Sequence, residues 1–207
     1  MMMKMMNLIQ MPKGQTIKQL FGDTAFKKFD SSYKKITGSS AVMFNTFKPF
    51  MLISMLSEKT LSCTSRESYE ETFMKLAAAN KKDIKGLETV EYQMGVFDSV
   101  PGSVMVSYLN DMVNNFQNQT TSFQKLVNIY KAQDIDSLFS MAYKDVKELD
   151  PETELLSKRN SNWIPVMKTN MQKTSCFFAV GAAHLGGDIG VISLLRKQGY
   201  TVKPVKL

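Results

Sequence analysis

The residues best suited to chemistry in this sequence are its only histidine, His184, and a glutamate, Glu88. His184 follows the run "CFFAVG", and Glu88 closes the run "IKGLE". Short apolar runs rich in β-formers predict buried strands, and open parallel sheets bind ligands beyond the carboxyl ends of their strands. If the two strands are neighbours, a carboxylate and an imidazole share one cleft, suited to holding a metal ion or transferring protons.

A structural interpretation of both residues stays open beside the chemical one. Glu88 is well placed to cap its own helix or to pair with a lysine, and most histidines in loops have no chemical role. The glycines around His184, from Gly181 to Gly187, favour chemistry slightly because they let a ligand approach the backbone closely. A phosphate-binding loop is excluded, since Gly187 and Asp188 replace the Lys-Ser/Thr pair and an aspartate repels phosphate.

The elements that must position these residues are mostly helical. Residues 12–83 and 89–173 carry helical apolar patterns, whereas 174–207 predict a strand, a helix and a second strand. Either Ser65 or Ser68 is predicted to cap one helix and Thr89 the next, and Pro165 is predicted to break a helix near residues 160–162. The sequence therefore predicts one helix-rich α/β domain over residues 1–207, with a small, mainly parallel sheet and a large helical insertion.

Composition narrows the classes of partner. The formal net charge is +7, but the lysines are spread in pairs and mixed with acids, which indicates solvated helix faces and no nucleic-acid partner. No apolar run approaches the ~18 residues needed to span a membrane. Cys63 and Cys176 lie too far apart for a zinc knuckle or a CxxC pair, and a disulfide between them is open only in an oxidising compartment.

Four segments, in family order, resemble the TraB/GumN family, which includes the Tiki proteases and is similar in fold to the erythromycin esterases and the ChaN group. The segments are "MPKGQTIKQLF", "IKGLETVEYQ", "SKRNSNW" and "FFAVGAAHLGGDIGVISLLRKQGYTVKPV". The resemblance implies a metal-dependent, peptidase-like hydrolase marked by two Gly-x-x-His motifs, an acid and an arginine. The alternative it leaves open is a non-catalytic module that binds a peptide or other ligand, as in pheromone shutdown.

The resemblance also assigns roles to residues. Gly181 and His184 match the second Gly-x-x-His, with His184 as a ligand of Mn²⁺, Co²⁺ or Zn²⁺. Glu88 matches the acid, Arg159 matches the arginine with Asn160 beside it, and Glu70 matches a further acidic position. We expect Arg159 to point into the cleft of Glu88 and His184, held by Asn160 or by a backbone carbonyl.

The first Gly-x-x-His motif and its acid have no counterpart here. They would precede Met1, so the methionine-rich start "MMMKMMNLIQM" is interpreted as a cut edge, and the domain is expected to be incomplete at its amino terminus. A catalytic ion needs about three protein ligands. The chain alone is therefore expected to be inactive, and an uncovered sheet edge is expected to pair with a second copy. The resemblance favours the periplasm or cell surface and leaves the cytoplasm open.

Overall fold

The computed structural model describes residues 7–61, 63, 65–149 and 154–205, and this part of the chain is built from helices. Met1–Met6, which form most of the methionine-rich start, lie outside the described residues. The α-helices are α1 Ile17–Phe21, α2 Asp23–Thr37, α3 Pro49–Lys59, α4 Tyr69–Ala79, α5 Val90–Asp98, α6 Gly102–Asn114, α7 Phe116–Lys131, α8 Ile135–Leu149, α9 Arg159–Met171 and α10 Val191–Lys197. Two 3₁₀ turns, Ala41–Phe44 and Ala182–His184, and one π-helical turn, Glu154–Lys158, complete the elements.

The prediction of an α/β fold with a parallel sheet is wrong. The described residues form no sheet, and their single β-bridge joins Gln10 to Phe47. The three predicted strands, at residues 84–88, 176–180 and 201–205, are irregular or extended segments without a neighbouring strand in this part of the chain. Apolar β-formers favour a strand only where a partner strand offers its backbone and side chains, so the same run without one stays unpaired.

Local signals placed several helix boundaries correctly. The Ser68 side chain accepts a hydrogen bond from the Glu71 amide at the start of α4, and the Thr89 side chain accepts one from the Tyr92 amide at the start of α5. Pro49 occupies the first turn of α3, where its missing amide hydrogen costs no helical bond. These contacts span about one helical turn, which is why the sequence alone predicts them.

The larger core is built from residues between Ile17 and Val113. It is formed by α1, α2, α3, α6 and the 3₁₀ turn Ala41–Phe44, whose buried apolar side chains pack together. Aromatic rings of α1 and α2 pack against one another in this core, with the Phe21 and Phe29 centroids 4.6 Å apart and the two ring planes tilted by 37°. Fully buried aromatic side chains contribute the largest apolar areas to a core, so this cluster gives the helical scaffold most of its packing.

A second, smaller core lies around α9 and α10. Its buried members are Trp163, Ile164, Met167 and Val191, and Leu87 packs against them from the segment before α5. Phe178 and Val180 of the extended segment contact this core, whereas Phe177, directly before them, is 77% exposed. The second core therefore brings together Leu87, α9 and the residues on both sides of His184.

The predicted helix break at residues 160–162 is wrong. Pro165 lies inside α9, which runs without interruption from Arg159 to Met171. The irregularity comes earlier, in the π-helical turn Glu154–Lys158 that leads directly into Arg159. A proline removes one helical hydrogen bond, and the burial of Trp163, Ile164 and Met167 on α9 compensates for that loss.

Two further sequence interpretations concern the cysteines and membrane-spanning helices. Cys63 and Cys176 are both exposed and carry free thiols. Among the helices of the described ranges, none has the length and apolar character required to cross a bilayer.

Candidate functional site

An ion pair between Glu88 and Arg159 forms the centre of the candidate site. Nη2 of Arg159 lies 2.6 Å from Oε1 of Glu88, and Nε of Arg159 lies 3.1 Å from both carboxylate oxygens. The two side chains are only 12% and 13% exposed. A two-point guanidinium–carboxylate contact fixes the planes of both groups as well as their separation.

The indole of Trp163 holds the same carboxylate. Its Nε1–H donates to Oε2 of Glu88 over 3.0 Å, and the guanidinium carbon of Arg159 lies 5.0 Å from the centroid of the indole ring. One aromatic side chain therefore contacts both charges, the acid through a hydrogen bond and the cation through its π face.

His184 lies on the other side of the guanidinium. Its Nε2 is 3.4 Å from Nη1 of Arg159, and its ring centroid is 4.5 Å from that of Trp163. Its Nδ1 is 2.6 Å from Oδ1 of Asn160. His184 is 8% exposed and Asn160 is fully buried, so both polar groups depend on these contacts in place of water.

The surroundings of His184 keep its imidazole neutral. Burial, together with the neighbouring Arg159 guanidinium, lowers the pKa of His184 from 6.5 to about 4, and the Glu88 carboxylate opposes this only in part. Transfer of the ring from water disfavours its charged form, and the adjacent cation acts in the same direction. At neutral pH the imidazole of His184 is therefore uncharged beside the ion pair.

The space beside the glycines near His184 is filled by neighbouring side chains. The sequence had suggested that this space would admit a ligand. A Cβ on Gly186 would lie 2.7 Å from Cβ of Phe139, and a Cβ on Gly187 would overlap the Phe139 ring. Gly187 also has a φ of 71°, which other residues rarely adopt. These glycines let α8 pack tightly against the turn Ala182–His184 and so set the position of the histidine.

The structure brings most of the predicted site residues together. Glu88 and His184 both contact Arg159, which is held by Glu88 and by the Leu155 carbonyl, 3.3 Å from Nη1. Of the two expected partners of Arg159, the backbone carbonyl is the one observed, and Asn160 bonds to His184. The residues meet across a helix and two loops, and the described part of the chain forms no sheet to align them.

Two predicted residues have other surroundings. Glu70 is exposed in the first turn of α4, where it accepts a hydrogen bond from the Ser68 hydroxyl and takes no part in the cluster. That bond lowers the pKa of the Glu70 carboxyl. Gly181 lies at the start of the histidine turn, and its carbonyl accepts the His184 amide.

The sequence interpretation missed Trp163. It lies four residues after Arg159, so both side chains project from one face of α9. The spacing and the fact that it is the only tryptophan were available signals, but its bond to Glu88 joins residues 75 positions apart.

The donors in this cluster do not by themselves fit a catalytic metal ion. In the described ranges, no three His, Cys, Asp or Glu side chains lie close enough to hold one ion. The cluster offers one imidazole and one carboxylate, and both face the Arg159 guanidinium. A catalytic ion generally takes about three protein ligands, and a cation is repelled by a guanidinium at this distance.

A comparison with known protein families matches residues 1–204 to the TraB/PrgY/gumN family. The chain belongs to this family. The match covers the ion pair, Trp163 and the histidine turn, so the whole candidate site lies inside the family region. No significant match is found among curated proteins or among solved structures.

The lowered pKa of His184 predicts a pH-dependent stability. Because its folded-state pKa of about 4 lies below the unfolded value of 6.5, the unfolded chain binds the proton more readily between these pH values. The contribution of His184 to the free energy of unfolding is largest above pH 6.5 and falls by roughly 3 kcal/mol as the pH drops to 4.

Urea unfolding at pH 7.5 and 4 measures this effect, with His184→Asn as the variant that cannot ionise. Other groups titrate equally in both proteins, so the wild type should lose roughly 3 kcal/mol more than the variant. An equal loss in both would mean that the histidine is not buried as described.

The ion pair predicts a second effect on stability. Glu88→Gln leaves the Arg159 guanidinium in a nearly buried site without its counter-charge, and we expect a loss of about 3 kcal/mol of unfolding free energy. Glu58→Gln is the matched control, since Glu58 pairs with Arg66 at the surface, where the side chains are 64% and 40% exposed. That change should cost less than about 1 kcal/mol. Equal losses for the two variants would mean that the buried pair contributes no more to the free energy of unfolding than the exposed pair does.

Proposed function

We propose that this member of the TraB/PrgY/gumN family is a hydrolase domain of peptidase type, with Glu88, Arg159 and His184 in its active site. The observation that carries the proposal is the neutral imidazole of His184 next to the Glu88–Arg159 ion pair. A buried histidine with a strongly shifted pKa beside a fixed charge pair is typical of functional sites.

The three side chains suit acyl transfer to water. An uncharged imidazole at neutral pH offers a lone pair that accepts a proton from an attacking water or ligates an ion. The guanidinium of Arg159, which cannot be deprotonated in a protein, stabilises negative charge that develops on a carbonyl oxygen. Glu88 holds that guanidinium in place through two oxygens.

A metal-dependent form of the reaction is part of this proposal. His184 is the residue that would ligate Mn²⁺, Co²⁺ or Zn²⁺, and further donors beyond those of the described cluster would have to complete the site. The ion would supply Lewis acidity and an activated water. The described residues alone are therefore expected to bind an ion weakly and not to turn over a substrate.

The second candidate is a module that binds a peptide or other ligand without cleaving it. The satisfied hydrogen bonds of the cluster favour it, because no buried side-chain nitrogen or oxygen in the described part of the chain lacks a partner. A site without reactive, unpaired groups is well suited to holding a ligand and less suited to activating one. Export to the periplasm or cell surface, which the family resemblance favours, fits both candidates.

A titration with Mn²⁺, Co²⁺ and Zn²⁺ by calorimetry, together with a peptide-cleavage assay, tests the proposal. For this chain we expect weak binding, reduced further in His184→Ala, and no cleavage, because two donors cannot offset the desolvation of the ion. Cys176→Ser is the control, since the exposed Cys176 thiol is a second side chain near His184 in the sequence that can bind a metal ion. Tight binding that survives in His184→Ala would remove the histidine from the metal site. Cleavage by the chain alone would show that the cluster is already complete.

We also propose a second copy of this chain as a partner. The extended segment at residues 175–180 buries one side against the second core and leaves Phe177 77% exposed in contact with Phe73, whose ring centroid is 5.2 Å away. No described strand pairs with its backbone. An exposed apolar segment with an unpaired backbone is a template for a second, identical segment.

Sedimentation velocity over a range of concentrations tests this pairing. We expect a monomer–dimer equilibrium that Phe177→Lys shifts at least about tenfold towards the monomer, because burying an aromatic ring supplies more than ~1.4 kcal/mol. Val42→Lys, at a similarly exposed site on the other core, should leave the equilibrium unchanged. A wild-type protein that stays monomeric at all concentrations would contradict the proposal.

A further inference from the structure

Asn160 is a fully buried polar side chain that contacts the histidine directly, and its own orientation is fixed. Its Nδ2 donates to the Ile189 carbonyl over 2.8 Å and lies 3.4 Å from the His184 carbonyl. An amide turned the other way would point its oxygen at two carbonyl oxygens, which repel it. The oxygen Oδ1 must therefore be the atom that faces Nδ1 of His184, 2.6 Å away.

The contacts on both ring nitrogens select the same tautomer. Oδ1 of Asn160 is only an acceptor, so Nδ1 of His184 must carry the proton. On the opposite side, Nη1 of Arg159 is only a donor, so Nε2 must present its lone pair. A neutral histidine free in water favours the other form, with the proton on Nε2, so the protein has to impose this arrangement.

We propose that Asn160 is a positioning residue that holds His184 as the Nδ1–H tautomer and aims the Nε2 lone pair at the Glu88–Arg159 pair. This rests on the proposed function, in which Nε2 is the atom that accepts a proton or binds an ion. Asn160 therefore acts through the histidine, and its full burial keeps it from touching a ligand. A hydrogen bond at the second ring nitrogen commonly sets which nitrogen is reactive.

The sequence makes the test direct, since the chain contains one histidine and its ring signals need no further assignment. Long-range ¹H–¹⁵N spectra of the ¹⁵N-labelled full chain at pH 7 distinguish a protonated from an unprotonated ring nitrogen. We expect a protonated Nδ1 and an unprotonated Nε2 in the wild type. A wild type with its proton on Nε2 would overturn the proposal, whatever the variants do.

Two variants separate positioning from mere packing. Asn160→Ala removes the acceptor, and the ring should shift to the Nε2–H form or to a mixture; a pure Nδ1–H form would show that Asn160 does not set the tautomer. Asn160→Asp keeps an acceptor at Nδ1 and should retain Nδ1–H where it folds, although its second oxygen faces the Ile189 and His184 carbonyls. If neither variant folds, the wild-type spectrum decides. Loss of that tautomer in a folded Asn160→Asp protein would count against the proposal.

Asn162→Ala is the matched control. Asn162 lies two positions further along the same helix, but it is exposed and donates to the Tyr92 hydroxyl, away from the histidine. Its replacement should leave both ring nitrogens unchanged, and a change in tautomer there would contradict a specific role for Asn160. Because the spectra require neither substrate nor metal, the tautomer result stands apart from the activity assay. A fixed Nδ1–H form in a protein whose metal binding is unchanged in His184→Ala would support Asn160 while weakening the proposed function.

Discussion

The ion pair between Glu88 and Arg159 is the constraint on which the rest of the site depends. Two charges at about one-eighth exposure lose most of their hydration, and this cost is recovered only when their remaining donors and acceptors are paired. The Trp163 indole, the Leu155 carbonyl and the His184 ring supply those partners. The same pairing ties the segment before α5 to α9 and to the histidine turn, so the charges also hold three parts of the chain together.

α9 is the element that organises this pairing. Arg159, Asn160 and Trp163 lie on one face of its first turns, and Met167 continues that face into the second core. The helix therefore holds the Arg159 guanidinium, the Asn160 amide and the Trp163 indole at fixed spacing. The turn Ala182–His184 brings the histidine to them. Phe139 of α8 presses against this turn, so the packing of a distant helix determines where the imidazole lies.

The same structure explains which sequence predictions were correct. The caps Ser68 and Thr89 were predicted because each contact closes within a few residues. The prediction of a sheet was wrong because a strand forms only beside a partner strand, and β-propensity does not indicate whether a partner is present. The break at Pro165 was wrong for a related reason: tertiary burial of α9 outweighs a local preference of the backbone.

By itself, the sequence determined the local helix starts, the single histidine and the motifs that place the chain in the TraB/PrgY/gumN family. It also named Glu88, Arg159 and His184 as members of one site. Only the tertiary structure decided how they are joined, by an arginine between the acid and the imidazole, an indole on the carboxylate and an amide on the ring. These contacts link residues 24 to 75 positions apart, and their geometry follows from the packing of α8, α9 and the turn Ala182–His184. No local pattern in a sequence encodes a distance across such a fold.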